Sequence, residues 1–131
     1  MEYSYKVVEH FMCPRNVGNM PDADAEGTFG DVKCGDSLTI YIKVKENIIT
    51  DINYLVFGCA AAVATSSVFS VLAKGKTLKE AMKITGKDIV EALDGLPDSK
   101  LHCSVLGPQA LDKAIEDFTH KQLEKNVKSN F

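Results

Sequence analysis

The sequence predicts an α+β fold: a three-stranded antiparallel sheet with helices packed on one face. Three observations carry this. The runs "SLTIYIKV" and "IITDINYLVF" alternate apolar and polar residues, the period of half-buried strands. Only the short turn "KEN" separates them, which favours antiparallel neighbours. After Phe57 the period becomes helical and stays so to the C-terminus, and strands followed by helices is the order of an α+β fold.

The elements follow in chain order. "SYKVVEHFM" places Val7, Val8 and Phe11 on one helical side, with Ser4 as N-cap, and predicts a short first helix stopped by Pro14. Residues 14–27, with two prolines and two glycines, read as a loop. "TFGDVK" reads as a first strand. In the second, Leu38, Ile40, Ile42 and Val44 share a face; in the third, Ile52, Tyr54 and Val56 do. "CAAAVATSSVFSVLAKG" is apolar nearly all round, through Val63, Val68, Val71 and Leu72, and predicts a buried helix ended by Gly75. Thr77 to Glu80 and Thr85 to Asp88 are capping boxes for two short helices, the second ending near Gly95. "LPDSK" (96–100) reads as a loop. From Cys103, the residues Leu106, Ala110, Leu111, Ala114, Ile115 and Phe118 form one apolar stripe, so a long C-terminal helix runs to about Lys125. Pro108 falls in its first turns, where proline is tolerated.

Composition narrows the function. The 131 residues suit one domain, expected to span 1–131. With 45% apolar and 25% charged residues the chain is globular. A net charge of −3 argues against nucleic-acid binding. No apolar run approaches the roughly 20 residues that cross a bilayer. "MEYSYKVVEH" lacks the basic and apolar regions of a secretory signal, so the cytoplasm is the expected location.

The chemistry sits in the cysteines, Cys13, Cys34, Cys59 and Cys103. None forms a CxxC pair, which argues against a thiol oxidoreductase. In a reducing compartment free thiols are expected. Three fall at element ends: Cys34 in the turn between two strands, Cys59 at the strand-to-helix junction, and Cys103 at the start of the last helix. Helix N-termini present unpaired N–H groups that stabilise a thiolate, so Cys59 and Cys103 have an electrostatic reason to be reactive; Lys33 could help Cys34. In an extended turn, Cys34 and Asp36 would lie roughly 6–7 Å apart on one side, from a rise of about 3.3 Å per residue. With His102 beside Cys103, three thiolates, a carboxylate and an imidazole suffice for tetrahedral zinc or an iron–sulfur cluster. The long gaps between the cysteines match no zinc-ribbon or ferredoxin spacing, and unrelated thiols remain the alternative.

At these residues the sequence resembles the IscU/NifU-type iron–sulfur cluster assembly scaffolds. "PRNVG" (14–18), "CGD" (34–36), "FGC" (57–59) and "KLHCS" (100–104) occur in order and at matching spacing, over Tyr3 to about Lys121. The resemblance implies a three-stranded antiparallel sheet with helices. It also implies a scaffold, not an enzyme: a cysteine desulfurase delivers persulfide sulfur, iron is added, and a [2Fe–2S] cluster forms and passes to apo-proteins. An electron donor such as ferredoxin is the expected reductant of that sulfur. By position, Cys34, Cys59 and Cys103 resemble the cluster ligands, and Cys103 the first persulfide acceptor. Asp36 and His102 resemble the residues that complete or regulate the site. A fourth ligand could instead come from a second subunit in a cluster-bridged homodimer, and the cluster-free site of the family often holds zinc. Tyr3 and Lys100 match a tyrosine and a lysine of the family.

Three departures stand out. The chaperone-recognition loop of the family usually reads Leu-Pro-Pro-Val-Lys; "LPDSK" loses a proline at Asp98 and an apolar contact at Ser99, which argues against the dedicated chaperone. Cys13 stands where the family more often has a polar residue before the proline, a fourth thiol, a dimer contact or a thiol without a role, and Pro108 enters the last helix. The rival implied function is that of a SufU-like zinc protein, which activates a desulfurase. That branch carries an insertion between its second and third cysteines and a lysine before the third; the compact segment here and His102 favour the scaffold. His10 and His120 are expected to be surface residues. Without its neighbours, Asp36 would be an ordinary turn residue.

Overall fold

The structure, a computed structural model, describes residues 2–31 and 35–129. Helix α1 (Tyr5–Met12) leads to strands β1 (Ala25–Asp31), β2 (Asp36–Lys45) and β3 (Ile48–Phe57), then helices α2 (Ala60–Ala73), α3 (Leu78–Ala81) and α4 (Gly86–Ala92). A 3₁₀ segment (Asp98–Val105) runs into the long helix α5 (Leu106–Ser129). The sheet is antiparallel in the order β1-β2-β3. The predicted fold class is the one observed.

The β2–β3 hairpin turns on Glu46 and Asn47, both left-handed at φ 52° and 68°. Two successive positive φ values match the twist of the flanking strands. A bulge between Lys43 and Val44 then shifts the phase of β3, so that Ile49 is buried together with Ile52 and Tyr54. Leu38, Ile40 and Ile42 of β2 face the same core. Helix α2 crosses this face and buries ten of its residues, as a helix apolar all round must. Its Val71 is nevertheless 48% exposed, because the sheet covers only the opposite side. The buried hydroxyls of Ser66 and Ser70 donate back to the carbonyls of Ala62 and Ser67, which satisfies them inside the core.

Helix α5 lies against β1 through Gly27. A side chain there would overlap the α5 backbone at Ala114, so glycine is needed for close approach and not for conformation. Asp117 accepts from the Glu26 N–H on the outer edge of β1. The other sheet edge is covered where Val17 pairs with Tyr54.

Several expectations are corrected. Strand β1 begins at Ala25, inside the expected loop 14–27, because Ala25 and Gly27 pair with Ile42 and Ile40. Only Val7 of α1 is buried; Val8 and Phe11 are 46% and 43% exposed, since the helix touches the core along a narrow line. His10 is no free surface residue: its Nδ1 lies 2.7 Å from Ser67 Oγ on α2, which also accepts from the Arg15 N–H. His120 is exposed, as expected. Both capping boxes are formed.

Candidate metal centre

The expected helix start at Cys103 is overturned. The last three residues of "LPDSK", expected as a loop, and the five after them wind as the 3₁₀ segment, and α5 begins only at Leu106. A 3₁₀ turn repeats every three residues, so side chains three apart stack on one edge. Lys100 and Cys103 therefore share one edge, and His102 and Val105 another. Thr65 Oγ1 of α2 lies 3.2 Å from the Cys103 carbonyl oxygen and holds the segment down on the helix. Pro108 is the third residue of α5, where its missing N–H leaves no intrahelical bond unmade.

These elements bring four side chains together. Cys59 is the N-cap of α2, Asp36 opens β2, and His102 and Cys103 lie on the 3₁₀ segment. The Cys59 and Cys103 sulfurs are 4.0 Å apart. Asp36 Oδ2 is 3.3 Å from His102 Nε2 and 3.9 Å from Cys103 Sγ, and Cys103 Sγ is 3.7 Å from His102 Nε2. One ligand atom each from Asp36, His102 and Cys103 falls within 4.8 Å of the others. Tetrahedral bonds of about 2.0–2.3 Å place ligand atoms roughly 3.3–3.8 Å apart, so the donors stand close to the spacing that a single ion requires. Cys34, the remaining predicted ligand, lies outside the described residues, as does Lys33.

The two thiols differ. Burial pushes the Cys59 thiol up, but the N–H groups of Ala62 and Ala61, the Cys103 thiol and the Lys100 ammonium outweigh it, and its pKa falls below the ordinary value. The sulfur makes no strict cap hydrogen bond; those N–H groups act on it as dipoles at the open helix end. The Cys103 thiol is pushed up to about 12, first by burial, then by Cys59 and Asp36. The expectation of a helix-activated Cys103 thus fails: it is fully buried and sits on no α-helix N-terminus. Cys59 fulfils that expectation. The Lys100 pKa is raised first by Cys59, against partial desolvation, with Tyr3 adding to the effect, so Lys100 stands beside the thiols and Tyr3 acts on Lys100. Cys13 is exposed at the end of α1.

The rim is uneven. Asp36 is largely covered, its side chain 16% exposed, whereas His102 stands open at 63%. Next to them a cleft of about 580 Å³ is lined by Thr28, Phe29, Gly30, Val105 and Leu106. Thr65, which anchors the Cys103 backbone, had no sequence signal beyond its place on a buried helix.

Residues 2–125 match the family model described as the NifU-like N terminal domain. The chain belongs to the NifU-like N-terminal domain family. This NifU-like domain is 57% identical over 119 residues to the iron-sulfur cluster assembly scaffold protein IscU 1 of Archaeoglobus fulgidus, covering 91% of this chain and 78% of that protein. It is 42% identical over 126 residues to the scaffold protein IscU of Haemophilus influenzae, covering 93% and 99%. Among solved structures, a SUF-system scaffold protein from Fervidobacterium islandicum superposes with a TM-score of 0.70 at 20% identity, covering 86% of this chain and 95% of that one. A NifU-like N-terminal protein from Brucella abortus does so at 0.69 and 20%, covering 89% and 94%. At that identity these two share the NifU-like fold alone. The family resemblance carried by the four motifs is borne out.

Proposed function

We propose that the chain is a scaffold on which an iron–sulfur cluster is built and from which it is passed on. The observation that carries this reading is the convergence of two thiols, a carboxylate and an imidazole from three distant segments. The relatives named as scaffolds support it.

Cluster and metal are cargo in this reading. Cys34, Cys59 and Cys103 hold them, with a fourth ligand from Asp36, His102 or a second subunit. Cys103 accepts sulfur: its thiolate attacks the outer sulfur of a desulfurase persulfide, the S–S bond to the donor breaks, and the donor cysteine leaves as thiolate. Two electrons from a ferredoxin-type donor then release sulfide and restore the Cys103 thiolate. The Cys103 thiol is buried and pushed up to about 12, so the attack begins with proton loss. Asp36 supplies a hard oxygen among soft sulfurs, which weakens the hold on the cargo and favours release. Asp36→Ala is expected to slow cluster transfer to apo-ferredoxin and make the cluster persist; an unchanged transfer rate would remove Asp36 from this role.

Anaerobic reconstitution with iron, a desulfurase, cysteine and a reductant tests the reading. The expected product is a visible-absorbing cluster that moves to an apo-protein. A protein that instead retains zinc and stimulates the desulfurase would be the SufU-like alternative.

A further inference from the structure

We infer that Gly58 is a positioning residue for Asp36: the space left by its missing side chain seats the carboxylate and aims it into the donor set. The inference rests on the reading of these donors as a metal centre. A Cβ at Gly58 would overlap Asp36 Oδ1, stand 3.3 Å from Asp36 Cγ and press on Ala62 Cβ at 2.9 Å. The other carboxylate oxygen, Oδ2, is the one that faces His102 and Cys103. One oxygen is thus seated against the backbone of "FGC", and the other points inward.

The backbone does not explain this glycine. Gly35, Gly75 and Gly95 have φ of 92°, 85° and 103°, and among the described residues nothing stands within 4 Å of where a Cβ would be, so conformation accounts for them. Gly58 is absent from the positive-φ residues, and its surroundings are filled. It is required for space alone. The obstructing oxygen is the end of a short side chain, so an alanine displaces the carboxylate more readily than the fold. Gly58 also directly precedes Cys59, so one short segment supplies a thiol and seats a carboxylate.

Cobalt(II) binding to the full chain tests this without cluster chemistry, since its visible bands report the ligand set. Gly58→Ala is expected to weaken Co(II) affinity about 10–100-fold, the range for losing a group that orients a ligand. Its spectrum is expected to match that of Asp36→Ala, and the double variant to bind no more weakly than Asp36→Ala alone. Wild-type affinity and spectrum in Gly58→Ala, or fully additive losses in the double variant, would overturn the inference. Gly58→Ala with Ala62→Gly separates positioning from packing, because it removes the Ala62 contact and keeps the overlap with Asp36. Co(II) affinity is expected to stay low in it. Recovery of affinity, or a fold lost in both variants, would make Gly58 a packing residue and overturn the inference. Wild-type protein that takes up no Co(II) would remove the metal centre itself, a distinguishable failure.

Discussion

Cys59 and Cys103 sit 4.0 Å apart, yet their surroundings oppose one another. Cys59 caps an open helix end beside Lys100 and is partly exposed; Cys103 is enclosed, with Asp36 and Cys59 around it. A thiolate is the nucleophile, and access limits its rate. Metal-free protein treated with iodoacetamide at neutral pH is therefore expected to be modified at Cys59 at least tenfold faster than at Cys103, measured by peptide mass mapping. Equal rates would mean that the Cys103 segment opens freely. Residue-scale electrostatics could be read only in part from sequence. "FGCAAA" shows a cysteine at a helix start, and the structure keeps it there. "LHCSV" looks the same on paper, but an intervening 3₁₀ turn removes the helix end and buries the thiol.

At the scale of elements, two junctions carry testable consequences. Strand β1 meets α5 through Gly27, and the atoms facing its missing Cβ are backbone, at Ala114, Lys113 and Ala110. Backbone cannot step aside as a side-chain end can. Gly27→Ala is expected to cost about 1–3 kcal/mol by overpacking, read as a lowered melting temperature with the sheet retained. Helix α1 meets α2 through His10 and Ser67. Burial, then Arg15, holds the His10 pKa below its ordinary value, with Glu9 opposing. The unfolded chain then binds a proton there before the folded one does, so stability is intact above about pH 6.5 and falls as pH drops through the folded pKa. His10→Gln is expected to lose less thermal stability than wild type between pH 7.5 and 5.5; identical losses would show that His10 takes up its proton without strain. Neither junction was legible beforehand. Periodicity reveals which face of an element is apolar, not which element it meets, and His10 looked like any polar residue on an exposed helix.

At the scale of the whole molecule, "LPDSK" lies at the rim of the donor set. Leu96 and Pro97 precede the 3₁₀ segment, while Asp98 and Ser99 are exposed within it. A groove that reads an extended proline-rich segment would meet a charge and a turned backbone instead. Titration with the dedicated ATP-driven chaperone of the family is expected to show weak or no binding; micromolar affinity would refute this. No helix among the described residues is long and apolar enough to cross a membrane. The sequence by itself determined the fold class, the hairpin and the capping boxes, because period and capping chemistry are local, and it named the candidate donors, because their motifs lie in short runs. Only the tertiary structure decided the rest: which thiol is open, that Thr65 anchors Cys103, and that Gly58 makes room for Asp36. Those properties depend on distances between segments far apart in the chain, and the packing of α2 against the sheet sets them.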